Sequence, residues 1–124
     1  MATISMTPIT TKNSAVVARG WFDMSQGDVG ERFAFSQYAD KTVHIHGDFG
    51  TGATVTLRGS NLPDPDVENP DHWLPLTDAQ ANAITKTAPA LEVVLESPLW
   101  VSPIVAGTPA TANIAVLLSG KETN

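Results

Sequence analysis

Apolar and polar residues alternate one by one along much of this chain. In residues 42–61, TVHIHGDFGTGATVTLRGSN, Val43 and Ile45 alternate with Thr42, His44 and His46, and Ala53, Val55 and Leu57 alternate with Thr54, Thr56 and Arg58. A pleated strand sends successive side chains to opposite faces, so each run has one apolar and one polar face. Asp48-Phe49-Gly50-Thr51-Gly52 lies between them, its two glycines supplying the positive φ that a tight reversal needs. The stretch predicts a β-hairpin in a sheet with one dry side and one wet side.

The same period recurs on either side. Residues 15–24, AVVARGWFDM, have the β-branched and aromatic content of a strand, and Gly20 within them marks a bulge or a close backbone approach. After the turn-rich 25–30, residues 32–38 give a short aromatic strand with Phe33 and Phe35 on one face. Residues 62–71, LPDPDVENPD, carry Pro63, Pro65 and Pro70. Proline lacks the ladder donor, so this is a long surface excursion. Strand signals return at 72–76, 83–87 and 91–96, where Leu91, Val93 and Leu95 are expected inward and Glu92 and Glu96 outward. They end with 99–105 and, past Gly107-Thr108-Pro109, with 112–119, where Ile114, Val116 and Leu118 alternate with less buried positions.

Eight or nine short strands with turn signals about every 8–12 residues predict an all-β fold, an antiparallel two-sheet β-sandwich of jelly-roll type. No window sustains helical spacing. The predicted core is Val43, Ile45, Val55, Leu57, Val93, Leu95, Ile114 and Val116, with Trp21 and Trp100 also inside. Residues 14–120 form the domain, 1–13 an extended N-terminal arm and 121–124 a flexible C-terminal tail. The arm is either loose or ordered only against a neighbour, since the spacing of Ile4 and Met6 suits an added strand.

Composition narrows the function classes. A chain of 124 residues makes one domain with a self-sufficient core, and the lack of cysteine excludes disulfides and thiolate metal sites. Seven basic against thirteen acidic residues give a net charge of -6, and the basic ones are scattered singly. That distribution argues against a nucleic-acid partner. No apolar run approaches the roughly 20 residues that cross a bilayer, and the N-terminus lacks a signal-peptide pattern. A soluble intracellular product, with no membrane partner, is expected.

Candidate chemistry is sparse. His44 and His46 project from one strand face at a spacing that ligates zinc, with Asp48 a third donor, yet a polar outward face gives the same pattern. Asp64, Asp66, Glu68 and Asp71 offer oxygens for calcium, but their spacing matches no calcium loop and the prolines stiffen the segment. No serine sits in a nucleophile-elbow context, and Gly50-Thr51-Gly52 precedes a strand, so it is no phosphate cradle. Trp73, beside the acidic loop, is the candidate for an exposed sugar-stacking surface. No enzyme, cofactor or metal is expected.

Two segments carry a resemblance. TVHIHGDFGTGATVTLRGSN, followed by WLPLTDAQANAI at 73–84, resembles small head proteins of tailed bacteriophages, in which a "G-x-F-G" turn leads to "GSN", a tryptophan strand and a "TDxQxNA" turn. The similarity spans residues 14–119 and departs in the longer loop LPDPDVENPD. It implies a capsid decoration, or cement, protein: a homo-oligomer, expected to be a trimer. It would be made in the host cytoplasm and seated on the capsid exterior across junctions of the major capsid protein. Partner contacts are then expected at Ile4, Met6, Pro8 and Ile9 of the arm, and at Trp73. The alternative is a carbohydrate- or host-surface-binding sandwich of the virion tail or fibre.

Overall fold

The computed structural model describes residues 2–12 and 15–122, and in them the chain is an all-β, two-sheet sandwich. Its strands are β1 (Thr3–Ile4), β2 (Met6–Ile9), β3 (Val16–Met24), β4 (Val29–Gly30), β5 (Phe33–Ala34) and β6 (Tyr38–Asp48). They continue with β7 (Thr54–Ser60), β8 (Leu74–Pro75), β9 (Thr85–Lys86), β10 (Ala90–Val93), β11 (Trp100–Ala106) and β12 (Asn113–Glu122). A single 3₁₀ turn, Pro70–His72, is capped by Asn69, whose side chain accepts from the Asp71 N–H. The count exceeds the eight or nine expected because several strands are only two residues long and two more come from the arm.

A seven-stranded sheet follows the order β1-β4-β11-β7-β8, with β5 on β11 and β9 on β7. The five-stranded sheet runs β10-β6-β12-β3-β2. Every pairing is antiparallel except β1 with β4. The two inner faces meet over a core that includes Trp21, Phe35, Val43, Ile45, Val55, Leu57, Ile114 and Val116. Burying an aliphatic side chain of this size contributes about 1.5–3 kcal/mol, so these alternating positions fix the face each strand turns inward.

One expectation fails in connectivity. β6 and β7 are not a hairpin: β6 pairs with β10 and β12 in one sheet, and β7 with β11, β8 and β9 in the other. Residues 49–53 arch across the sandwich, so Val43 and Ile45 face Val55 and Leu57 through the core instead of lying beside them. Gly50 still supplies the reversal at φ 54, and a Cβ there would stand 2.4 Å from Thr111 Oγ1. Alternation reveals which side of a strand is dry, but not which strand is its neighbour.

A second correction concerns residues 91–96. Val93 and Leu95, expected in the core, are 48% and 56% exposed, and Leu91 is 66% exposed. Val94 is the buried residue, while Glu92 and Glu96 point to the margin between the sheets. There Lys86 pairs with Glu92 at 3.0 Å, and the Thr77 N–H donates to Glu96 at 2.8 Å. Partners at the margin let two carboxylates take the inward phase and turn the apolar residues out.

Candidate functional site

The outer face of the seven-stranded sheet is roofed by the chain itself. Arg58 points away from the core, yet it is buried, because the proline-rich loop folds down over it. Its Nη2 donates to the Ser102 hydroxyl at 2.8 Å and to the Val67 carbonyl at 3.2 Å, and its Nε to the Ser102 carbonyl at 3.3 Å. The guanidinium lies 4.9 Å from the Trp73 ring centre, and the indole N–H of Trp73 donates to the Asp66 carbonyl at 2.8 Å. A parallel unit stands beside it. Arg32 lies 4.4 Å from the Trp100 ring centre, donates to the Pro65 carbonyl at 3.0 Å and pairs with Asp64 at 2.7 Å. Two arginine–indole stacks thus pin one loop, each using a flat cation that grips carbonyls at its edge and a π face below.

No carboxylate pairs with Arg58 in the ion pairs among the described residues. Burial lowers its pKa to about 10, which leaves it charged at neutral pH. These contacts also settle where several candidates lie. Trp73, expected at the surface, is buried under Arg58, because the loop that was to expose it closes over it. Trp100, expected in the core, is half-buried on the outer face. Of the calcium-type donors, Asp64 is committed to Arg32, while the loop carbonyls of Pro65, Asp66 and Val67 accept from arginine and tryptophan. Both ring nitrogens of His72 are engaged, one by the Asp66 N–H and one by the Asn69 amide. No cluster of three or more metal-ligating side chains occurs among the described residues.

Among the described residues, the outer face of the five-stranded sheet has no such roof. One row across all its strands reads Leu91, His44, Leu117, Gly20, Thr7, and the next reads Val93, Thr42, Ser119, Ala18, Ile9. Neither row contains a lysine, arginine or carboxylate, in a chain of net charge -6. His44 and His46 share this face as expected, exposed and with ring centres 5.7 Å apart. Gly20 is a close-approach site: a Cβ there would come within 2.7 Å of the Phe22 ring and 3.0 Å of Leu117 Cδ2. Both side chains lean over it, so Leu117 and the exposed Phe22 extend the apolar surface that starts at Leu91. The bulge lies further on, where β3 shifts register between Trp21 and Met24 and Asp23 takes φ 57.

Between the two faces, an open cleft of about 650 Å³ is lined by Leu62, His72, Trp73, Leu74, Ser97 and Pro98 among others. Ser97 accepts a short hydrogen bond from Lys41, which is buried and lies 5.6 Å from the Phe35 ring centre. Burial lowers the Lys41 pKa, partly offset by Asp40 and Glu96. A hydroxyl and an amine in contact are the parts of a serine–lysine dyad. However, the next residue is Pro98, which has no N–H to offer a developing oxyanion. The pair also ties β6 to the segment after β10. Beside it, burial raises the Glu96 pKa, but the Thr77 hydroxyl and N–H outweigh that and leave it lowered. Asp78 is lowered first by the Asn82 N–H, with the Gln80 N–H adding to it.

The arm residues lie within the domain's own sheets. Met6–Ile9 pair with β3 and Thr3–Ile4 with β4, and Ile4 and Met6 pack on the core. Ile9 is half-buried and Pro8 exposed. Residues 1, 13 and 14, which include the boundary placed between arm and domain, lie outside the described part. So do 123 and 124 of the expected tail, and Lys121 and Glu122 belong to β12. Ile4, Met6, Pro8 and Ile9 therefore form a group at one sandwich edge, while Trp73 belongs to the opposite face. Arg58 and Arg32 were missed in sequence, although an arginine at an outward strand position and a tryptophan after three prolines were the available signal. No protein-family model matches the chain, and no curated protein matches it significantly.

Proposed function

We propose that this protein is a non-catalytic decoration protein of a phage capsid, which lays the bare outer face of its five-stranded sheet on the shell. The observation that carries this reading is the pair of uncharged rows across β10, β6, β12, β3 and β2, with Leu91 and Val93 exposed at one end. Broad apolar surfaces on small proteins are characteristic of contact with another macromolecule. Shape and repetition then do the work: symmetric copies on a lattice multiply modest contacts. The likeness of residues 42–61 and 73–84 to phage head proteins supplies the partner, the major capsid protein.

The reading is tested by mixing the purified protein with empty heads that lack it. Sedimentation should show saturable binding, and decorated heads should withstand higher temperature before rupture. Leu91→Asp on the bare face should abolish both effects. Equal binding by wild type and Leu91→Asp, or no binding by the wild type, would overturn the reading.

A further inference from the structure

We propose, resting on that reading, that the shell subunit contributes an extended segment that adds to the five-stranded sheet along β10. Val94 donates to the Lys41 carbonyl at 3.0 Å, so in this ladder Glu92 and Ala90 also turn their backbone groups toward β6. Leu91 and Val93 therefore direct their N–H and C=O groups away from the sheet. Among the described residues neither has a backbone partner on that side; Leu95, next in the same phase, donates to the Thr77 carbonyl at 2.9 Å.

The opposite edge of the same sheet is sealed. Pro8 of β2 has no N–H, and the Met6 N–H is taken by the Glu31 carboxylate at 2.6 Å. Proline and side-chain caps are the usual means of stopping a sheet from growing. β2 carries them within the strand, whereas on β10 Pro89 and the Leu95–Thr77 bond stand only at the two ends and leave Leu91 and Val93 open between them. The β10 side chains Leu91 and Val93 also stand on the bare face, which lets an added strand continue both rows.

Charge selects the occupant. A second copy pairing β10 with β10 through Leu91 and Val93 would set Glu92 opposite Glu92, each with its own Lys86 beside it at 3.0 Å, so that like charges of both signs crowd one axis. A second copy offering β2 would present the sealed edge. The fitting partner is a different chain: an extended segment with apolar side chains at alternate positions and no carboxylate opposite Glu92, which Lys86 already pairs.

The test uses backbone hydrogen exchange on the full-length protein, free and bound to empty heads of the same virus. In the free protein the Leu91 and Val93 amides should exchange fast while those of Ala90 and Glu92 are protected. On heads, the Leu91 and Val93 amides should slow by about tenfold or more, as for ladder amides. Leu91→Pro removes one outward N–H without touching the β6 ladder but also shortens the side chain, so it is compared with Leu91→Ala, which keeps the N–H. The proline variant should bind heads about tenfold more weakly than the alanine one, roughly one hydrogen bond's contribution. Wild-type binding with unchanged exchange at both amides, or with Leu91→Pro bound as tightly as Leu91→Ala, would overturn the added strand and leave the decoration reading standing. No wild-type binding would overturn both. Protection of these amides in the free protein, with dimers in sedimentation, would overturn the shell segment in favour of a second copy.

Discussion

The two outer faces of this sandwich began as the same kind of surface and ended differently. On the seven-stranded sheet, two arginines and two tryptophans hold a loop of the chain's own against the strands, and little is left to bind elsewhere. On the five-stranded sheet, none of the described residues covers the rows of leucine, valine, histidine, threonine and alanine. A small domain can spend its long side chains on closing one face and keep small, uncharged ones on the other. The face closed by its own chain contributes to stability, and the face left open is free to meet a partner.

This contrast breaks if the two faces respond alike to substitution. The largest effect is expected at Trp73→Ala, which removes the stacked floor beneath Arg58. It should cost about 3–5 kcal/mol in denaturant unfolding and make the 61–72 loop sensitive to protease. Arg58→Ala comes next, at about 1.5–3 kcal/mol for lost charge-assisted hydrogen bonds. Arg58→Lys should recover little, because an ammonium cannot both stack and reach Ser102 and Val67.

Acid should act between the faces. Glu96 and Asp78 have native pKa values below their ordinary ones, so the unfolded chain binds more protons as pH falls through about 4. Their stabilisation is present above that range and is lost as pH drops through the lowered native values. The thermal midpoint should therefore decline below about pH 4. Replacing Glu96 with Gln should flatten the decline; an unchanged pH profile would show that the margin is not what acid loosens. The smallest effect is expected on the bare face. Val93→Ala and Leu95→Ala should shift stability by no more than about 0.5 kcal/mol. A cost of several kcal/mol would put these side chains back in the core.

The strand map was largely legible because period-two alternation is a direct imprint of the pleat, and Val43, Ile45, Val55, Leu57, Ile114 and Val116 are all fully buried as it required. Sheet membership was not legible: residues 49–53 suit a hairpin and an arch equally well. The run LEVVLE can be read in two phases, and preferring acids outside chose the wrong one, since Lys86 and Thr77 come from distant sequence. Arg58 was assigned to the right face, but its burial depends on a loop whose docking no local pattern encodes. The bare face was visible in sequence only as His44 and His46; its neighbours across the sheet required the register.

Finally, β1 and β2 sit in different sheets although only Ser5 separates them. Residues 3–9 thus act as a clasp across the seam of the sandwich, holding the rim of both layers with a single length of chain. Severing it would bare β3 and β4 together, turning a finished border into two ragged ones that invite stacking of molecule upon molecule.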